Sequence, residues 1–247
     1  MKIAVIGCGN MGGALVRGWC ASGIAEDITI TAKSQSTLDT YQALYPELNV
    51  TLSNADAVRR SHYVIIAVKP WLVNQVLSEI EPELDGKVVI SVAANVRHQR
   101  IDYYAMPNIA AEYSQSMTFI TPANEAGNVN DAVLELFRRV GQVMPVSESQ
   151  LTAGMMMSGC GIAYVIRMIR AMMCGGVEMG FSPSQAQEIA RQTMQGAVTL
   201  LQESGLHPDV AIDRVTTPGG VTIKGLNELD HSGFNSAIIR CLKAGLK

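Results

Sequence analysis

The chain has 247 residues, enough for one large domain or two smaller ones with a real core. Apolar residues make up 48% and charged residues 17%, an ordinary globular balance. The net charge of -3 and the 5% aromatic content leave no basic, base-stacking footprint for nucleic acid. Five scattered cysteines (Cys8, Cys20, Cys160, Cys174 and Cys241) contain no CxxC pair. That excludes neither a thiol nor its chemistry, but it argues against a disulfide framework or a zinc site and fits a reducing cytoplasm. No metal is expected.

Residues 2–6 (KIAVI) form a short β-branched run bounded by glycine and read as a buried strand. A helix is expected over 10–21, a strand over 27–31 and a helix over 34–44. A short strand at 50–51 and a short helix over 54–60 come next. Residues 62–68 (HYVIIAV) read as a buried strand, 71–80 as an amphipathic helix and 87–92 (KVVISV) as another buried strand. Strands and helices in alternation imply right-handed βαβ units and a parallel sheet covered on both faces. The character changes at 145–149, where strands stop and helix signals take over. The expected organisation is therefore α/β, with a dinucleotide-binding domain at 1–148 and an all-helical domain at 149–247. The opening residues resemble a signal peptide only superficially, because glycines interrupt them and Arg17 follows. The apolar run 153–166 is expected to be too short to span a bilayer and to form a buried helix. The Met155, Met156 and Met157 run reads as core filler.

Gly7, Cys8, Gly9, Asn10, Met11 and Gly12 spell GxGxxG directly after a strand and at the opening of a helix, the context this motif needs. The first glycine permits the turn, the second admits a pyrophosphate and the third lets helix and strand pack closely. The second strand ends without a carboxylate for a ribose 2′-hydroxyl. Lys33 and Ser34 stand there and suit a 2′-phosphate, which favours NADPH, with NADH possible. Ala67, Val68, Lys69 and Pro70 end the fourth strand and should edge the cofactor. Near the other end, Thr217 suits an N-cap and Pro218 a first helical position, which would put Gly219 and Gly220 in the first turn of a helix. A bare first turn can receive a substrate carboxylate on its N–H groups, with the Thr222 hydroxyl nearby. His207 precedes Pro208 in an interhelical turn and reads as structural, while His62, His98 and His231 show no partner pattern.

Together, GCGNMGGAL at 7–15, AVKP at 67–70, MPN at 106–108, SGCGIAYV at 158–165, SGLHP at 204–208 and VTTPGGVTIKGL at 215–226 resemble the pyrroline-5-carboxylate reductases over nearly the whole chain. The last two blocks, in that order and spacing, are the most specific. The resemblance implies a Rossmann domain followed by a helical domain that forms an intertwined homodimer. It implies hydride transfer from NAD(P)H to C5 of a cyclic imine, the last step of proline synthesis, in the cytoplasm, with no nucleic-acid or membrane partner. By resemblance, Thr217, Gly219, Gly220, Val221 and Thr222 hold the substrate, and Thr222 bonds the ring nitrogen as the residue closest to catalysis. Asn108 and the Ala93–Ala94 turn would flank the nicotinamide, and Asn54 would touch the adenosine end. The sequence departs from the family pattern at Cys160 and Ile162, where serine and proline are usual. Tyr104 stands where arginine is usual, and Asn95 where glycine is common. Two other readings stay open: a reductase of another cyclic imine or keto carboxylate, and a β-hydroxyacid dehydrogenase relative. The second lacks the expected lysine near Val165. A nucleotide-sensing protein without turnover is a third.

Overall fold

The structure, a computed structural model, describes residues 1–124 and 127–246. The chain forms two compact units, Met1–Gly159 and Cys160–Lys247. Lys247, the end of the expected helical domain, lies outside the described residues.

The first unit is built on short strands rich in Ile, Val and Thr, residues that fit a pleated, buried surface. These are β1 (Ile3–Ile6), β2 (Ile28–Thr31), β3 (Asn49–Thr51), β4 (Tyr63–Ile66), β5 (Val88–Ser91), β6 (Tyr103–Met106), β7 (Ser116–Pro122) and β8 (Gly141–Pro145). They make one sheet in the order β3-β2-β1-β4-β5-β6-β7-β8. Pairing is parallel throughout except between β6 and β7. The first six strands have the doubly wound dinucleotide-binding order, whose direction of winding reverses between β1 and β4.

Helices α1 (Asn10–Ala21), α2 (Gln35–Leu44), α3 (Asn54–Arg59), α4 (Val73–Ile80), α5 (Asp131–Arg138) and α6 (Glu148–Met155) cover the sheet. The buried side chains fall into two clusters. One joins α1, α2 and α5 to the sheet through Trp19, Leu38 and Phe137. The other joins α3, α4 and α6 to it through Val58, Leu77 and Leu151. Trp19 is fully buried, donates from Nε1 to the Leu136 carbonyl at 2.8 Å, and meets the Phe137 ring edge-to-face at 5.8 Å. It therefore bolts the cofactor-loop helix to α5. Helix α6 begins at residue 148, where the sequence reading places its boundary, and packs on β7, so the first unit extends through it to Gly159.

No element is expected from the sequence between 93 and 145, and the structure has β6, β7, α5 and β8 there. The departures from the family pattern fall at the start of this stretch. Asn95 has φ +57°, a left-handed conformation that asparagine tolerates better than other side-chain-bearing residues. Tyr104 is buried; its hydroxyl accepts from the His98 N–H at 3.1 Å, and the Arg97 guanidinium lies 4.1 Å over its ring.

The second unit contains α7 (Gly161–Glu178), α8 (Pro183–Ser204), α9 (Pro208–Arg214), α10 (Val221–His231) and α11 (Phe234–Ala244). Helices α7 and α8 pack on small residues: a β-carbon on Gly176 would stand 3.0 Å from Ala186 Cβ. One expectation needs correction: the apolar run at 153–166 is not a buried helix, because Val165 and Ile166 are about half exposed. A π-helical turn, Met156–Cys160, joins α6 to α7, making a helical run Glu148–Glu178 of 31 residues. By length and composition alone that run could cross a membrane. In the second unit α7 packs chiefly on α8, and its apolar stretch stays largely open to solvent.

Candidate active site

The carboxyl ends of β1, β2, β4 and β5 open into a cleft of about 480 Å³. In doubly wound sheets ligands sit at this end, at the point where the winding reverses. Gly7, Cys8, Gly9, Asn10 and Met11 line it, with Lys33 and Ser34, Ala67, Val68, Lys69 and Pro70, and Ala93 and Ala94. A larger hollow of about 670 Å³ lies by the amino end of β6, beside Tyr103 and Asp102, where parallel strands begin rather than end. The chemistry of a dinucleotide site belongs to the former.

The glycines of the loop do different jobs. Gly7 has φ +98°, which lets the chain turn out of β1. Gly12 lies in α1 so close to the Gly7 carbonyl that a β-carbon there would overlap the oxygen. A β-carbon on Gly9 would meet nothing within 4 Å. Gly9 is thus bare toward open space, as a backbone approached by a pyrophosphate needs to be. It is also the N-cap of α1 and offers no side chain to bond the helix's free amides. A phosphate can take those donors and gain from the helix dipole. The residues present fit a dinucleotide.

The second anchor is the start of α2. Ser34 is its N-cap; its hydroxyl accepts from the Thr37 N–H at 3.4 Å and lies 2.9 Å from the Thr37 hydroxyl. Thr37 also lines the cleft, a residue the sequence reading does not single out. Its signal was its place one turn after a serine cap. No acidic side chain lines the cleft among the described residues, so nothing there repels a 2′-phosphate beside Lys33. Cys8 is in the cleft but is not a nucleophile: burial pushes its thiol up to about 12.

Two expected cofactor residues are engaged elsewhere. The Asn54 side chain donates to Glu79 Oε1 at 3.2 Å. Asn108 is buried; its Nδ2 donates to Ser158 Oγ at 2.8 Å and its Oδ1 accepts from the Ala110 N–H at 2.9 Å. Neither residue lines the cleft.

In the second unit, the start of α10 differs from the expected one. Thr217 is not the N-cap, and Gly219 and Gly220 are not in the first helical turn. The four residues 217–220 form a tight turn, closed by the Gly220 N–H donating to the Thr217 carbonyl at 2.9 Å. Gly219 holds φ +70° after Pro218, the conformation a type II turn demands of its third residue. Gly220 is the N-cap of α10, and a β-carbon on it would stand 2.5 Å from Thr217 Oγ1 and 3.0 Å from the Thr217 carbonyl oxygen. The helix thus starts at Val221, and Thr222 is its second residue. No side chain caps it and no acid sits in its first turn, so the N–H groups of that turn are open to an anion. His207, by contrast, is the N-cap of α9 and accepts from the Asp209 N–H at 3.3 Å, a structural role.

A family model described as pyrroline-5-carboxylate reductase dimerisation matches residues 148–247. One described as NADP oxidoreductase coenzyme F420-dependent matches residues 2–95. The chain is 36% identical to pyrroline-5-carboxylate reductase 1 of Dictyostelium discoideum, over 96% of this chain and 47% of that one, so it spans about half that relative's length. It is 34% identical to the pyrroline-5-carboxylate reductase of Methanosarcina acetivorans, over 98% of this chain and 94% of that one. It is likewise 34% identical to the Escherichia coli enzyme of that name, with the same coverage. Among solved structures it is similar to the Plasmodium falciparum pyrroline carboxylate reductase with NADP bound, with a TM-score of 0.88 and 25% identity over 99% of this chain and 95% of that one. A nucleotide cleft in one unit, an uncapped helix start in the other and a likeness to these proteins over nearly the whole of this chain agree: the chain belongs to the pyrroline-5-carboxylate reductase family of NAD(P)H-dependent oxidoreductases.

Proposed function

We propose that the chain reduces 1-pyrroline-5-carboxylate to L-proline, with NADPH as the preferred reductant, in a reducing cytoplasm and as a homodimer. The observation that carries the reading is the uncapped start of α10 behind the Thr217–Gly220 turn, in a chain whose first unit offers a dinucleotide cleft. The bound dinucleotide supplies the hydride. Everything else falls to the protein, and it is mostly placement. The substrate is a cyclic imine that is electrophilic at C5 once its nitrogen is protonated, so no strong general base is needed.

The amides of Val221 and Thr222 are the donors proposed to hold the carboxylate, helped by the positive end of the helix dipole. The Thr222 hydroxyl bonds the ring nitrogen and orients it; an alcohol is too weak an acid to be the main proton source. In the first unit, the α1 amides behind Gly9 take the pyrophosphate. Lys33, Ser34 and Thr37 take the 2′-phosphate, and Val68 and Ala93 form apolar walls. Dimerisation is assigned to the helical unit, whose surface carries Val165, Ile166, Val198 and Leu200 exposed.

The test is a steady-state assay with the purified full chain. Loss of NADPH absorbance should depend on added pyrroline-5-carboxylate and yield proline. Nucleotide binding with no substrate-dependent oxidation would reject the proposal and leave a binding protein.

A further inference from the structure

Behind the cofactor cleft lies a polar group of side chains that the proposed chemistry does not use. Arg17, on α1, pairs with Glu112 in two places: its Nε lies 2.8 Å from Oε1, and its second terminal nitrogen donates to Oε2 at 2.9 Å. Glu112 belongs to the 3-10 turn Ile109–Tyr113 that follows the MPN motif. The other terminal nitrogen of Arg17 donates to the Tyr41 hydroxyl at 2.9 Å. Tyr41 is on α2 and is only 7% exposed. Its hydroxyl sits against α1 at Gly13, where a β-carbon would overlap it and come within 3.0 Å of Arg17. A planar guanidinium gripped by a carboxylate has little freedom left, so it holds the phenol in one place.

The position of Tyr41 on α2 gives this arrangement a meaning. Thr37 lines the cleft, and Tyr41 follows it by one helical turn on the same side of α2. Gly13 is one turn into α1 from Gly9 and donates to the Gly9 carbonyl at 2.7 Å. The Tyr41 hydroxyl therefore joins the two helices about one turn behind their amino ends. Those ends are the two that would hold phosphates: α1 the pyrophosphate and α2 the 2′-phosphate.

We infer that Tyr41, held by Arg17 and Glu112, is a positioning residue that fixes the spacing between the pyrophosphate and 2′-phosphate sites and so sets the preference for NADPH over NADH. The inference rests on the reading of the cleft as an NADPH site. It follows from geometry: a nucleotide with two phosphate anchors needs the two helix ends at one separation. One without the 2′-phosphate needs only α1.

Calorimetric titration of the full chain with NADPH and with NADH tests it. Tyr41→Phe keeps the ring and removes the hydroxyl. It should weaken NADPH binding about tenfold and NADH binding less than about twofold. Arg17→Lys keeps the charge but loses the fork that reaches Glu112 and Tyr41 together, and should shift the same ratio in the same direction. A residue that merely stabilised the fold would lower the melting temperature and weaken both nucleotides alike. Equal losses, or an unchanged ratio in both variants, overturn the inference while leaving the cleft reading intact. A wild-type protein that binds neither nucleotide, or binds both equally well, overturns the inference too, and failure to bind either sinks the cleft reading with it.

Discussion

Gly219 and Gly220 stand next to each other for unrelated reasons. Gly219 needs a backbone angle that L side chains avoid, at a cost of about 1–2 kcal/mol for any of them. Gly220 has an ordinary angle, φ -65°, but no room: its missing β-carbon would press on the threonine that closes the turn. Both glycines therefore serve the turn before they serve a ligand. The result is a helix start with no side chain over it, which the proposed carboxylate would use. This separates two effects that one substitution can expose. In Gly220→Val the branched side chain must push Thr217 away and stand over the first amides of α10. The Michaelis constant for pyrroline-5-carboxylate should rise about tenfold or more, while the NADPH dissociation constant stays within about twofold. If both move together, the turn is holding the fold rather than the substrate. If neither moves, the carboxylate binds elsewhere.

Among the secondary-structure elements, α1 was readable to the residue, because GxGxxG sets its start and the Ser22–Gly23 turn its end. The helix expected over 34–44 starts one residue later, at Gln35, with Ser34 as its N-cap. Strands buried on both faces, such as β4 with its YVII, are legible because nothing polar interrupts them. The region that sequence did not yield lacks such signals. β7 alternates buried and half-buried positions, and the largely exposed edge strand β8 ends in proline. The start of α10 was misplaced because Thr-Pro is a good helix opening when read locally, and a type II turn with Pro-Gly at its centre uses the same letters. At the site, the cleft residues next to strand ends were legible, but Thr37 and Tyr41 depend on helix packing that only coordinates reveal. The close fit of α1 on β1 gives the prediction at this scale. Gly12→Ala puts a methyl group into the Gly7 carbonyl, and backbone cannot rotate away as a side chain would. The helix must lift off the strand. Unfolding by denaturant should show a loss of about 1–3 kcal/mol, and NADPH binding should fall further than that loss explains, since the loop amides move with the helix. Wild-type NADPH affinity in this variant would show that the loop does not hold the pyrophosphate.

The molecule as a whole has a helical unit that cannot cover its own surface. Val198 and Leu200 on α8, Ile166 on α7 and Ile239 on α11 are each between 45% and 58% exposed. A soluble monomer rarely leaves so many large apolar side chains bare on one small unit. The run Glu148–Glu178 is also long and apolar enough to enter lipid, and only 6% of its most apolar stretch is buried. Two coverings are thus conceivable, and charge separates them. Arg167 and Arg170 fall within this run, where each would cost about 2.5–3.5 kcal/mol at the centre of a bilayer. In a protein interface both can reach water at the rim, and a family model described by dimerisation matches this unit. In detergent-free buffer the protein should therefore sediment at about twice the 26.5 kDa mass of the chain. Replacing Val198 and Leu200 together by glutamate puts two charges where apolar contact is needed, and should move the species toward one chain mass while the first unit still binds NADPH. Protein that stays in solution only with detergent would assign the bare helices to lipid instead. A wild-type chain that sediments as a monomer would mean that neither covering exists.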